Sequence, residues 1–439
     1  MSKKVSVGVL LTAVLLSIAL TVSVTMVIAI RYFNSTVSDV TQRQAMFDYV
    51  TDVDKIVRYH YYGTIDEEKL RSALGEGYID GIGDPYAAYL SAEEYREALD
   101  TLAGKQTGFG LDVALSDNGR IVITRVHPQS TADKAGIQAG DVITAVNGND
   151  VSASAFSQVN RTLADASKVL LSVQRGTTAH AFEISASTFD TVSVDSRMLE
   201  SNVGYIRVYA VLDTTPRQFQ TAYEALVKQG ATRFVFDLRD NAGGSSTAVE
   251  QMLSFLVPSG SYAQQIDNTG KTTYLQSENG HGIAYPSVTL VNGGTTGEAE
   301  LFAGVLQELG KTAVVGETTA GKGLIQEYFT NSDGSAVRLS VAERQLIKGG
   351  VIQGKGITPD EEVHLRGQLA LTEQADDTPL QVALKRLKTA GQADPSATAS
   401  ATTTTGTQQT VTTAPSKVVN GGASTTGKRA TTRATTRAR

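Results

Sequence analysis

The sequence predicts an α+β multidomain protein, and three observations predict it. Apolar residues recur at helical spacing through residues 40–104. Short β-like runs then fill residues 106–187. From 203 to about 345, strand-like and helix-like segments alternate, as in an α/β sheet with helical crossovers. At 439 residues the chain has room for two or three domains. Its composition is globular, with 41% hydrophobic and 19% charged residues. A net charge of −6 carries no nucleic-acid footprint, and the absence of cysteine excludes disulfides and cysteine-ligated metal.

The N-terminus comes first. Lys3 and Lys4 precede Val5–Ile30, 26 residues without a charge. As a helix this stretch is about 39 Å long at 1.5 Å per residue, more than a bilayer core of about 30 Å. It has no good small-x-small cleavage site and exceeds an ordinary secretory core. The expectation is an uncleaved, single-pass membrane helix in residues 1–34, against a cleaved signal or a buried helix. The leading lysines place the N-terminus in the cytoplasm and the bulk outside it.

Residues 35–105 read as a helical region, with Phe47, Val50, Val53, Ile56 and Val57 on one face. Ser91-x-x-Glu94 has the form of a capping box, and Gly104 is a natural stop. "GIGDPYAAYL" reads as a turn. Residues 106–190 read as a small β domain with one helical piece, "SAFSQVNRTLAD". In residues 191–387, "GYIRVYAV", "RFVFDL", "VTLVNGG" and "TAVVG" read as strands. Helices are expected from Pro216 to near Gly230 and over "EAELFAGVLQELG". Residues 388–439 are rich in Thr, Ala, Ser and Gly, with Lys417, Lys428, Arg429, Arg433, Arg437 and Arg439. This composition predicts a disordered basic tail, read either as a solvated spacer or as a segment weakly attracted to anionic cell-envelope polymers or lipid heads.

The chemistry centres on "VVGETTAGKGLIQ". Gly316-x-x-x-x-Gly321-Lys322 has the start of a phosphate-binding loop. The residue after the lysine is Gly323, where Mg²⁺ binding needs a hydroxyl, and "LIQEYFTNSDGS" reads as strand and turn where a helix should follow. A catalytic lysine is the other chemical reading, and an ordinary glycine turn is the bland one.

"GDPYAAYLSAEEY", "GFGLDV", "TADKAGIQAGDVITAVNG", "GYIRVYAV", "DLRDNAGG", "GKGLIQ", "DGSAVRLSVA", "GKGITPD" and "TPLQVALKRL" occur in an order and spacing that resemble the carboxyl-terminal processing (tail-specific) serine peptidases, from about residue 45 to 387. The resemblance implies a PDZ domain over 106–190 and a crotonase-like α/β protease domain over 191–387. Gly108, Phe109, Gly110 and Leu111 would then offer backbone N–H groups to the C-terminal carboxylate of a bound protein or peptide. Lys322 would be the general base of a Ser–Lys dyad and Gln326 the residue that orients it. Gly243, Gly244 and the N–H of Glu298 would line the oxyanion hole. No metal and no cofactor is implied.

The family's nucleophile is a serine 25 residues before the lysine, a position held here by Gly297. Four nearby hydroxyls are weighed as substitutes: Thr295 and Thr296 are out of register, and Ser245 and Ser246 follow the oxyanion glycines. The five histidines, His60, His127, His180, His281 and His364, show no spacing for a triad or metal and read as surface or satisfied side chains. Asp237 and Asp240 read as strand-ending residues. Glu298 stands where the family has a small residue, and its carboxylate is expected to pair with Lys322. Two functions compete: an anchored extracytoplasmic endopeptidase, weak or inactive for want of the serine, and a pseudoprotease that binds protein C-termini without cutting. A nucleotide sensor is the distant third. The oligomeric state stays open.

Overall fold

A computed structural model describes residues 7–372 and 374–390. The expectations for the tail beyond 390 therefore lie outside the described residues, as does the start of the apolar segment.

One helix, Val7–His60, runs without a break across the expected boundary at residue 34. Among the described residues no helix is long and apolar enough to cross a membrane. Most of the Val5–Ile30 expectation bears on side chains outside the described set, including residues 9–15 and 27–30. Phe47, Val50, Val53, Ile56 and Val57 do share the helix, and all are exposed. The expected capping box forms: Glu94 N–H donates to Ser91 Oγ at 3.3 Å, and Ser91 N–H to Glu94 Oε2 at 2.8 Å. Such a cap contributes about 1 kcal/mol to the helix Ala92–Leu102 that it opens.

"GDPYAAYL" is more than a turn. Its last residues, Ala88–Leu90, pair antiparallel with the strand Ala336–Leu346. Three residues carry too little alternation to announce a strand, and the partner lies far along the chain.

The expected β domain is a sheet in the order Leu111–Leu115, Ile121–Val126, Val142–Val146, Lys168–Arg175, Thr178–Ser185. Its core gathers Phe109, Ile121, Ile123, Leu171 and Val173, with Val159 from the expected helix Phe156–Asp165. A short helix, Thr131–Ala135, has no counterpart in the sequence pattern; five residues show no period.

The alternating region builds a six-stranded sheet in the order Val194–Leu199, Val203–Val208, Arg233–Asp237, Ser287–Val291, Ala313–Gly316, Glu361–Glu362. The first pair is antiparallel and the others are parallel. Alternate residues face opposite layers. Phe234, Phe236 and Val314 pack with Phe219, Leu301 and Phe302 on one face. Val235, Val288, Leu290 and Val315 pack with Leu380, Ala383 and Leu387 on the other. Burial on both faces is why "RFVFD" and "SVTLV" are nearly continuous apolar runs.

A second, antiparallel sheet joins Ala88–Leu90, Ala336–Leu346, Pro258–Asp267 and Thr272–His281, with Leu324–Thr330 on the same long strand. The Pro258–His281 hairpin is too polar to be read as strands from its sequence. Three loops leave the carboxyl ends of neighbouring parallel strands: 238–245, 292–297 and 317–323. In an open α/β sheet that is the edge at which sites assemble.

Candidate functional site: a lysine loop facing a glycine elbow

The Glu300 carboxylate, fully buried, joins two of these loops. It accepts from Gly297 N–H at 2.8 Å, Lys322 N–H at 2.8 Å, Gly321 N–H at 2.7 Å and the Thr319 hydroxyl at 2.5 Å. Bonds of this kind, to a charged acceptor, contribute about 1.5–3 kcal/mol each. They lock the start of the helix Glu298–Glu308 against the Gly321–Lys322 loop. No functional expectation fell on Glu300. Its place three residues into a helix that opens on glycine was the available signal.

Gly297 is the N-cap of that helix, at φ 58°, ψ −118°. This is a conformation that side chains rarely adopt and that strand-to-helix nucleophile turns impose. A Cβ built there would have a single neighbour within 4 Å, the Lys322 Cδ at 3.9 Å. A side chain at 297 would thus enter open space beside the lysine.

Lys322 is half-buried, and its Nζ stands 5.1 Å from the centroid of the Tyr86 ring. Tyr86 comes from "GDPYAAYL"; its carbonyl accepts from Arg338 Nε at 3.0 Å, and Asp84 beside it accepts from Ser340 N–H at 3.2 Å. Burial opposes the charged Asp84, but its backbone donors outweigh this and hold its carboxyl below the usual range. No sequence signal marked Tyr86 as part of the site. Gln326, four residues beyond the lysine, turns its amide elsewhere: Nε2 donates to Leu324 O at 2.7 Å and reaches Ser340 Oγ at 3.5 Å.

The expected Glu298–Lys322 ion pair does not form. Glu298 accepts from Gly244 N–H at 3.0 Å and Ser246 Oγ–H at 3.0 Å, and lies 3.6 Å from the buried Arg344 Nη1. Arg344 in turn donates to Glu250 at 3.2 Å. A buried guanidinium attracts the carboxylate more strongly than a half-exposed ammonium can. One N–H expected to line an oxyanion hole is therefore taken by the chain's own carboxylate. Another of the three, Gly243 N–H, donates to Asn241 Oδ1 at 2.9 Å. Gly244 must be glycine, since a Cβ would fall 2.2 Å from Val211 O.

The four substitute hydroxyls are engaged. Thr295 donates to Leu238 O at 2.9 Å, Thr296 to Ala242 O at 2.9 Å, and Ser245 to Asp213 at 2.6 Å. Ser246 holds Glu298 as described. Asp237 does more than end a strand. Together with Arg239 it forms a buried network: Arg239 donates to Asp237 at 2.5 Å and to Asp377 at 2.7 Å, and Tyr205 donates to Asp237 at 2.6 Å. Asp240 accepts from Asn292 Nδ2 at 2.8 Å, tying two site loops together. The phosphate-loop reading fails on geometry, because Lys322 is followed by the strand Leu324–Thr330 where such a loop would run into a helix.

In the β domain, Gly108, Phe109, Gly110 and Leu111 line a cavity of about 190 Å³, with His127, Leu163 and Phe189 around it. The Phe109 side chain belongs to the core, and its carbonyl accepts from Ala132 N–H at 3.1 Å. His127 is buried beside this cavity, its Nε2 3.3 Å from Asp112 Oδ1, while its Nδ1 has no partner among the described residues. The expectation of a surface or satisfied side chain holds only in part.

Residues 202–363 match the model of peptidase family S41, and residues 100–174 match that of the PDZ domain. The carboxy-terminal processing protease CtpA of Bacillus subtilis is 31% identical over 361 residues, covering 79% of this chain and 77% of the relative. A CtpA-like serine protease of Staphylococcus aureus is 28% identical over 354 residues, covering 79% and 71%. The solved structure of an S41 protease from Bacteroides fragilis superposes with a TM-score of 0.53 at 19% identity, covering 72% of this chain and 90% of that one. The chain thus belongs to the carboxyl-terminal processing proteases of peptidase family S41, with a PDZ domain ahead of its protease domain.

Proposed function

We propose that this chain is a membrane-anchored, extracytoplasmic member of its family that binds protein C-termini through the PDZ domain and cleaves them weakly or not at all. One observation carries the reading: the residue that opens the helix opposite Lys322 is Gly297, with no side chain to attack a peptide bond. Covalent catalysis needs a nucleophile, and the neighbouring hydroxyls are all committed to other acceptors. The Glu298 carboxylate on Gly244 N–H supports the same reading, because a resident anion excludes a developing oxyanion. The test is cleavage of an unfolded protein by the full-length chain in detergent, followed by gel and mass spectrometry. Turnover at the rate of an active family member overturns the proposal.

Binding rests on the cavity bordered by Gly108–Leu111. The N–H groups of Phe109 and Gly110 donate to no acceptor among the described residues, and Leu163 and Phe189 supply an apolar wall. A peptide ending in a free carboxylate with an apolar last residue should bind at least about tenfold more tightly than its amide, the value of a charge-assisted bond pair. Equal affinity removes carboxylate capture.

The anchor rests on the uncharged stretch Val5–Ile30 behind Lys3 and Lys4. The full chain should stay with membranes after carbonate washing, and external protease should reach its C-terminus. A soluble form beginning near residue 30 would make the segment a cleaved signal. The basic residues beyond 390 suit a salt-sensitive attraction to anionic envelope polymers.

A further inference from the structure

We propose that Lys322 and the open space beside Gly297 form a second carboxylate site, which takes the C-terminus of a bound peptide. The inference rests on the peptide-binding reading above and adds a site to it. Lys322 Nζ stands over the face of Tyr86, 5.1 Å from its centroid, and a ring face attracts an ammonium. Among the described residues no carboxylate lies within ion-pair distance of it. The neighbouring acids are engaged elsewhere. Glu298 holds Gly244 N–H, Ser246 and Arg344. Glu300 holds Thr319 and the backbone of Gly297, Gly321 and Lys322. Asp84 holds the N–H groups of Tyr86 and Ser340.

The space is there as well. A Cβ at 297 would find nothing nearer than the Lys322 Cδ at 3.9 Å. In a Ser–Lys enzyme the serine's hydroxymethyl group fills that volume, and hydrolysis leaves the product's new carboxylate against it. With glycine at 297, a carboxylate can approach the ammonium without displacing a side chain. The loop backbone that carries the lysine is also held in advance. Its own N–H and that of Gly321 are bonded to Glu300, and Gly323 N–H donates to Gln353 at 2.8 Å. A pre-ordered loop loses little backbone freedom when its ammonium binds an anion.

The test is calorimetric titration of the full-length chain in detergent micelles with one peptide, as free acid and as C-terminal amide. Two sites per chain are expected for the acid. Lys322→Met should weaken one of them about tenfold or more, as for loss of a charge-assisted hydrogen bond, and Lys322→Arg should keep it. Leu163→Trp, which fills the PDZ cavity, should abolish the other. A single site in the unmodified chain, or unchanged binding in Lys322→Met, overturns the inference and leaves the PDZ reading standing. Unchanged binding in Leu163→Trp, with one site lost in Lys322→Met, strikes the PDZ reading instead. An amidated peptide with an internal glutamate that binds the Lys322 site as well as the free acid overturns the assignment to C-termini.

Discussion

Gly297→Ser combined with Glu298→Ala should give this chain clear peptidase activity, where either change alone gives little. Serine at 297 supplies the nucleophile beside Lys322, at a backbone cost of about 1–3 kcal/mol for its left-handed φ of 58°. Losing a nucleophile costs roughly six orders of magnitude in a well-studied serine hydrolase, so regaining one outweighs that strain. The serine alone still faces Glu298 on Gly244 N–H at 3.0 Å. Losing one oxyanion donor costs about 10²–10³ in turnover, and a resident negative charge adds repulsion to that. The double variant should therefore exceed Gly297→Ser by at least about 10²-fold. Initial rates on an unfolded protein, for the unmodified chain, both single variants and the double, are the measurement. Equal rates in Gly297→Ser and the double would show that Glu298 does not block the hole. The sequence pointed to the same pair of changes for another reason, an ion pair with Lys322. In the structure Glu298 instead holds Gly244 N–H and Ser246 and lies beside Arg344.

Arg239→Met should destabilise the protein by about 3–5 kcal/mol, the usual cost of stranding buried charges. Arg239 is 2% exposed, and Asp237 is fully buried. Burial by itself would push the Asp237 carboxyl up, but the Arg239 charge and hydrogen bonds, with help from Arg207 and Tyr205, hold it below the ordinary carboxylate range. A depressed native pKa contributes stability that is complete above the unfolded value of about 3.9, and that is lost as pH falls through the native one. Arg239→Met removes the strongest of those influences, so burial should dominate and the pH dependence should weaken or invert. Urea midpoints from pH 7 down to about pH 2 test this for both proteins, since the window lies below the unfolded carboxyl value. A loss under about 1 kcal/mol, or parallel pH profiles, would show that the network carries little of the stability. The cost should appear as coupled loosening of two elements, because Arg239 also bonds Asp377, which caps the helix Thr378–Ala390.

The strands and helices of the protease domain were legible because their signals are local. "RFVFD" and "SVTLV" are apolar throughout, the mark of strands covered on both faces. Ser91 and Glu94 announce a helix start three residues apart. The order of glycine-rich loops pointed to the family, and the structure brings Gly297 and Lys322 together as expected. What the residues could not announce was long-range partnership. Tyr86 reaches Lys322 because the residues just after it, Ala88–Leu90, pair with a strand that begins at Ala336. Glu300 becomes a hub because two parallel strands end side by side and deliver their loops to its carboxylate. Glu298 had two cations available, and sequence proximity to Gly297 favoured Lys322. Burial decided for Arg344, because Coulomb attraction strengthens as water is excluded, and exclusion of water is a property of the folded packing alone.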